Sequence, residues 1–115
     1  ANRPDDTFAQ ARAMWLGAET WRNFNQQNDW VDVFTFDLSS PGPVNIELEV
    51  PGNNNFDLEL YGQNKLLRAS STTPKNGVDE EISIFLPKLR YFVFVRRFYP
   101  TGQPDKNAYY TLTIK

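Results

Sequence analysis

The chain has 115 residues and a formal charge of −2, because 12 basic side chains are set against 14 acidic ones. This length predicts a single domain over residues 1–115, and 40% hydrophobic content supplies a core. The basic residues are not gathered into one run, so nucleic acid is not an expected partner. No stretch approaches the roughly 20 consecutive apolar residues of a membrane span, so no membrane partner is expected either.

The sequence contains neither histidine nor cysteine. Their absence excludes Ser-His-Asp and Cys-His catalysis, zinc held by thiolates and disulfide bonds. Most of the common catalytic machinery is therefore missing from this chain.

The first segment, residues 5–17, predicts a short helical turn. It begins with Asp5 and Asp6, and aspartate is a residue type that can cap the start of a helix. It continues with helix-forming residues and ends at Gly17. After this glycine the composition becomes polar and aromatic. Residues 21–28 predict one short strand that runs into an amide-rich loop.

From Val31 onward apolar and polar residues alternate, which is the pattern of half-buried β-strands. In the first such strand Phe34, Phe36 and Leu38 share one face. Turns rich in proline, glycine and asparagine separate the strands. Further alternating runs occupy residues 44–50, 56–61, 65–70, 82–86, 91–96 and 109–114. About seven or eight short strands with one apolar face each predict an antiparallel β-sandwich, since two sheets must bury those faces against each other.

Five segments follow one another in an order that is typical of one protein family. They are residues 5–11 (DDTFAQA), 29–38 (DWVDVFTFDL), 56–61 (FDLELY), 91–95 (YFVFV) and 110–114 (YTLTI). Together they resemble the bacterial pre-peptidase C-terminal domain, a family that includes the collagen-binding domains of clostridial collagenases. The resemblance spans nearly the whole chain.

The resemblance implies a jelly-roll-like β-sandwich without catalytic activity, attached to a secreted hydrolase that is often a peptidase. Some members anchor the parent enzyme to a polymer such as collagen, and others assist secretion or folding of the parent. The expected partners are therefore an extracellular protein or polysaccharide polymer and a parent catalytic domain. The expected location is extracellular or at the cell surface, and the expected state is a monomer.

Calcium is the possible cofactor. Such an ion takes roughly six to eight oxygen ligands, and the resemblance places Asp5 and Asp6 in the family's N-terminal calcium-binding segment. Asp29 and Asp32 can both reach one ion if Asp29 lies in the loop before its strand. Calcium-binding members usually carry glutamate where this chain has Arg3, whose guanidinium supplies no ligand. In the alternative reading, Asp6 caps the helical turn and the other aspartates are solvated or ordinary loop carboxylates.

An aromatic surface is the second candidate site. The period of two directs Phe92, Phe94 and Arg96 to one side of their strand and Tyr109 outward from the last strand. Strands adjacent in the sequence commonly pair, so we expect these four residues to form one exposed patch that binds a polymer. In the collagen-binding members aromatic residues near this end perform that role, and Phe94 and Tyr109 match them loosely. The alternative is that residues 99–107 or the N-terminal segment cover both phenylalanines.

The three tryptophans allow a different function. Trp21 or Trp30 can stack on sugar rings, which would make the chain a carbohydrate-binding module, whereas Trp15 and the others can equally close an edge of the sandwich. Trp30 is included among the predicted binding residues. A third possibility is an interaction domain that has no ligand of its own.

Paired carboxylates are the remaining route to catalysis, because glycosidases need two of them. Glu47, Glu49 and Glu59 lie at outward positions of regular strands, where solvated charges are expected. Residues 79–81 form an acidic loop that we also expect to be solvated. The sequence therefore does not predict an enzyme.

Overall fold

The computed structural model describes residues 8–22, 31–50, 55–73, 77–98 and 109–115. In this part of the chain one 3-10 turn, Phe8–Gln10, precedes nine strands. The strands are β1 (Arg12–Ala13), β2 (Ala18–Arg22), β3 (Val31–Asp37), β4 (Gly42–Glu49), β5 (Asn55–Tyr61), β6 (Leu67–Ser71), β7 (Glu80–Leu86), β8 (Arg90–Phe98) and β9 (Tyr110–Ile114). None of the described residues forms a helix long and apolar enough to cross a membrane.

The strands form two sheets that pack face to face. The five-stranded sheet has the order β1-β3-β8-β5-β6, and the four-stranded sheet has the order β2-β9-β4-β7. The β1–β3 pair is parallel and the other pairs are antiparallel. The β-sandwich prediction is confirmed, and β5 and β6 pair as an antiparallel hairpin. The two-residue β1 was not predicted. Of the strand predicted at residues 21–28, residues 21–22 lie in β2 and residues 23–28 lie outside the described residues.

The core lies between the sheets and is built from alternate residues, as the period of two requires. Phe36 stacks on Tyr91 with ring centroids 5.5 Å apart, and Phe56 meets Tyr110 edge-on at 5.8 Å. All four side chains are buried. Of these two contacts, Phe56–Tyr110 joins the two sheets, whereas Phe36 and Tyr91 are partners on neighbouring strands of the five-stranded sheet. Burying a large apolar side chain contributes about 1.5–3 kcal/mol, so the burial of these rings stabilises the sandwich.

The predicted N-terminal helical turn is wrong. The described part of this segment makes a single 3-10 turn and then pairs with β3, where Met14 N donates to Thr35 O at 2.8 Å. Short isolated helices are marginal, so pairing with a sheet edge outweighs local helix propensity. Gly17 adopts a φ of 92°, and it turns the chain into β2 instead of ending a helix.

The expected pairing of the last two strands is also wrong. β8 lies between β3 and β5 in the five-stranded sheet, whereas β9 lies between β2 and β4 in the other sheet. The chain therefore changes sheets between β8 and β9. This crossing separates residues that the sequence analysis placed in one patch.

Candidate functional site

Phe92 and Phe94 are buried, with only 9% and 6% of their surface exposed. Both point to the outer side of the five-stranded sheet, but the Phe8 ring covers them at centroid distances of 5.0 and 4.9 Å. Tyr61 packs against Phe94 at 4.8 Å. The prediction that these two phenylalanines form an exposed patch is wrong, and the alternative in which the N-terminal segment covers them is confirmed.

Arg96 lies on the same covered side and is half-buried. Its Nε donates to Glu59 Oε1 at 2.6 Å, and its guanidinium lies 5.0 Å from the centroid of the Phe94 ring. Burial acts to lower the pKa of Arg96, but hydrogen bonding and the nearby Glu59 charge outweigh it and raise that pKa. Arg96 and Tyr109 belong to different sheets, so the predicted four-residue patch does not form.

Asp32 is the one predicted calcium ligand within the described residues. Its carboxylate is fully buried, faces the interior of the sandwich and accepts a hydrogen bond from the Tyr110 hydroxyl at 2.5 Å. Asp5, Asp6 and Asp29 lie outside the described residues, as does Trp30.

An Asp32 carboxylate is chemically suited to a calcium ion, because such ions prefer carboxylate oxygens. Among the residues that the structure describes, no group of three or more carboxylates is arranged to hold a metal. Calcium binding therefore stays a prediction.

The outer side of the four-stranded sheet, in contrast, carries exposed side chains, and we call it the open face. It consists of the outward residues of β2, β9, β4 and β7, together with residues next to these strands. These residues are Glu19, Trp21, Tyr109, Thr111, Thr113, Lys115, Pro43, Asn45, Glu47, Glu49, Asp79, Glu81, Ser83 and Phe85. The strand register sets them in rows across the sheet.

Two exposed aromatic residues occupy one corner of the open face. Trp21 is 68% exposed and Tyr109 is 58% exposed. Trp21 lies opposite Thr111, and Tyr109 directly precedes β9 two residues earlier. They are therefore diagonal neighbours about 7–8 Å apart at the backbone. Trp21 Nε1 donates to Glu19 Oε1 at 3.3 Å, which orients the indole ring.

Beside this corner the open face is acidic. A depression of about 440 Å³ is lined by five carboxylates with exposed or half-exposed side chains and by one lysine. The carboxylates are those of Glu19, Glu47, Glu49, Asp79 and Glu81. Lys115 Nζ lies 2.7 Å from Glu47 Oε1, and this hydrogen bond and charge raise the pKa of Lys115.

Asn45 supplies further polar contacts on this face. Its Nδ2 donates to Glu81 Oε2 at 2.7 Å and to Ser83 Oγ at 2.8 Å. The amide thus fixes side chains of the neighbouring strand β7. Sequence reasoning placed Glu47 and Glu49 correctly at outward positions, but it missed their convergence with Glu19 and Glu81. Only the strand order brings these residues together.

Glu80 differs from its acidic neighbours. It is buried, and its carboxylate accepts hydrogen bonds from Ser71 Oγ at 2.6 Å and from Thr73 N at 3.0 Å and Oγ1 at 3.1 Å. The prediction of a fully solvated acidic loop is therefore wrong at this residue. Glu80 ties the start of β7 to the end of β6, and its role is structural.

Solved structures with a similar fold include a domain of a collagenase and two CBM35 structures. The pre-peptidase C-terminal domain of a Bacillus anthracis collagenase has a TM-score of 0.77 and 20% identity, with 100% of both chains covered. A CBM35 from Cellvibrio japonicus Abf62 has a TM-score of 0.50 and 16% identity, covering 98% of this chain and 87% of that one. A Xyl-CBM35 in complex with a glucuronic acid containing disaccharide has a TM-score of 0.54 and 17% identity, covering 98% and 84%.

No protein-family model matches the sequence, and no curated protein matches it. The likeness to the collagenase domain over the full length of both chains shows that the chain has a pre-peptidase C-terminal-like β-sandwich fold. At these identities the likeness concerns the fold alone. The function of the domain depends on its surface residues, because one fold can carry different binding surfaces.

Proposed function

We propose that this chain is a non-catalytic accessory domain of the pre-peptidase C-terminal type, which attaches a secreted hydrolase to its polymeric substrate. A peptidase is the proposed parent, and an extracellular protein such as collagen is the proposed polymer. The observation that carries the proposal is the exposed pair of Trp21 and Tyr109 on a regular sheet. The fold likeness over the full length of the collagenase domain supports it.

The open face has the physical properties of a binding surface. Large exposed aromatic side chains cost free energy in water and commonly mark a site of recognition. The strand backbone holds Trp21 in place and Glu19 orients its ring, so little freedom is lost when a ligand binds. A sheet face is also open at its ends, which suits a chain longer than the site.

A non-catalytic role is supported by the composition and by the placement of the charges. The chain has no histidine or cysteine. The carboxylates of the open face are regularly spaced along strands, and Glu47 is paired with Lys115. We therefore assign the chemistry to the parent enzyme and binding to this domain.

A carbohydrate-binding module is the alternative function. It is favoured by the fold likeness to the two CBM35 structures, one of which holds a disaccharide. The same aromatic corner would serve, because the exposed Trp21 ring offers an apolar face on which a sugar ring can stack. The two functions thus use one surface and differ in the polymer.

Retention on insoluble polymers tests both functions. We expect the domain to sediment with collagen fibres, and Trp21→Ala together with Tyr109→Ala to reduce the retained fraction severalfold. Trp15→Ala is the matched control, because Trp15 is 85% exposed but lies outside the open face. Retention on chitin or cellulose would favour the alternative, and a wild-type domain that none of these polymers retains would contradict both.

The proposal includes calcium as a stabilising ligand, held by Asp32 with Asp5, Asp6 and Asp29. A ligand that binds only the folded state raises the melting temperature. We expect the domain to melt at a higher temperature in millimolar calcium than in excess chelator. Magnesium at the same concentration is the control for ionic strength, and equal melting temperatures in calcium and chelator would argue against the site.

A further inference from the structure

The charge on the open face indicates what kind of polymer segment it takes. We infer that this face binds an extended polypeptide segment rich in lysine or arginine. The inference rests on the proposed function, since it names the chemistry of the polymer that the face would hold. Three observations support it: the charge, the spacing of the carboxylates and the aromatic corner.

The first observation is the charge balance. Five exposed or half-exposed carboxylates, the buried carboxylate of Glu80 and the ammonium group of Lys115 line the depression, so this surface is more negative than the −2 of the whole chain. Lys115 is already paired with Glu47. A basic segment would be attracted to this face and could form charge-assisted hydrogen bonds with the remaining carboxylates.

The second observation is that Glu47 and Glu81 lie directly opposite each other on β4 and β7. Opposite side chains on one face are about 5 Å apart, and two like charges at that position destabilise a sheet. Lys115 partly neutralises the charge of Glu47, and Asn45 donates a hydrogen bond to Glu81. A ligand cation placed between the two carboxylates would relieve the remaining repulsion.

The spacing along β4 favours a polypeptide over a sugar polymer. Glu47 and Glu49 are two residues apart on one strand, so they are separated by about 6.6–6.8 Å. Side chains on one side of an extended peptide repeat at the same distance. Alternate basic residues of such a peptide would therefore meet successive carboxylates.

The third observation concerns the two ends of the face. Trp21 at one end offers a ring on which an ammonium or guanidinium group can lie, with Glu19 beside it. Phe85, which is 67% exposed, lies opposite Pro43 at the other end. Glu49 and Pro43, which mark these two ends on β4, are six residues apart, or about 20 Å. An extended peptide spans this distance with about six residues.

The test is a fluorescence polarisation titration with two labelled eight-residue peptides, one alternating lysine and serine and one alternating glutamate and serine. We expect the lysine peptide to bind and the glutamate peptide not to bind. The affinity for the lysine peptide should fall steeply between low salt and about 0.3 M salt. The Debye length is only about 10 Å at 0.1 M and shorter at higher salt, so salt screens the attraction between the exposed charges.

Charge variants at the open face sharpen this test. Glu47→Gln combined with Glu81→Gln should weaken binding about three- to tenfold. The folded state should tolerate this change because it removes a like-charge pair. Lys115→Gln should strengthen binding about two- to fivefold, because it releases Glu47. Asp37→Asn is the control: it removes one carboxylate outside the open face and should leave the affinity unchanged.

The possible failures are distinguishable. Equal affinity for the two peptides, or weaker binding by the Lys115 variant, would overturn the inference. Binding of chitosan, a polysaccharide that carries amines, without binding of the lysine peptide would overturn the polypeptide assignment and favour the carbohydrate-binding alternative, whereas retention of the same domain on collagen would leave the proposed function standing. A wild-type domain that binds the lysine peptide but is retained by none of the insoluble polymers would instead contradict the proposed function.

Discussion

The outer faces of the two sheets start from the same sequence pattern and end in opposite environments. Phe94 on β8 and Trp21 on β2 both point away from the core. Phe94 is 6% exposed, because Phe8 and Tyr61 pack over it, whereas Trp21 is 68% exposed. Alternation along a strand therefore tells which side a residue faces, but it does not tell whether another segment covers that side.

The charged residues of the two faces differ in the same way. On the covered side Arg96 is held by Glu59 and lies over the Phe94 ring. On the open face, carboxylates outnumber the single lysine that lines the depression. The covered side thus contributes to stability, and the open face carries a net negative charge.

The largest expected effect distinguishes the two aromatic positions. Phe94→Ala should lower the free energy of unfolding by roughly 3–5 kcal/mol, since it removes a buried ring and leaves a cavity. Trp21→Ala should change it by less than about 0.5 kcal/mol, because its ring is exposed. Urea unfolding followed by circular dichroism measures both. Similar losses in the two variants would contradict the division into a covered and an open face.

A smaller effect is expected at the residue that provides the cover. Phe8→Ala should lower the free energy of unfolding by about 1–2 kcal/mol, because contacts between aromatic rings contribute about 0.5–1.5 kcal/mol each. It should also increase binding of a hydrophobic dye, since Phe92 and Phe94 lose their cover. Trp15→Ala serves as the control, and a dye signal that rises equally in both variants would speak against Phe8 as the cover.

The smallest expected effect is a pH dependence on the covered side. Burial, followed by the charges of Glu80 and Glu59, raises the pKa of Asp57. The folded protein therefore holds this proton more tightly than the unfolded chain, and ionised Asp57 lowers stability. Asp57→Asn should slightly raise the urea midpoint at neutral pH, and this gain should shrink as the pH falls through the raised pKa.

Asp37→Asn should act in the opposite direction. Its hydrogen bond with Arg90 lowers the pKa of Asp37, so the ionised carboxylate favours the folded state. Removing it should slightly reduce stability at neutral pH. That difference should disappear as the pH falls through the lowered pKa. Urea midpoints measured at several pH values compare the two variants. If both substitutions shifted the midpoint in the same direction at neutral pH, the opposite pKa shifts assigned to Asp57 and Asp37 would be refuted.

Part of the candidate site follows from local sequence. The alternation in residues 44–50 places Glu47 and Glu49 outward, and the same reasoning leaves Tyr109 exposed. The convergence of Glu19, Glu47 and Glu81 does not follow from it. These residues come from β2, β4 and β7, which become neighbours only through the strand order of the sheet.

Local sequence is sufficient to predict the strands from β3 onward, the side to which their residues point and the sandwich, because the period of two is a local property of an extended backbone. The tertiary structure alone decided that β8 and β9 belong to different sheets and that Phe8 covers Phe94. Both depend on contacts between segments far apart in the chain. Such contacts are selected by the burial of apolar surface, which any alternating strand can supply, so local patterns do not specify which partners meet.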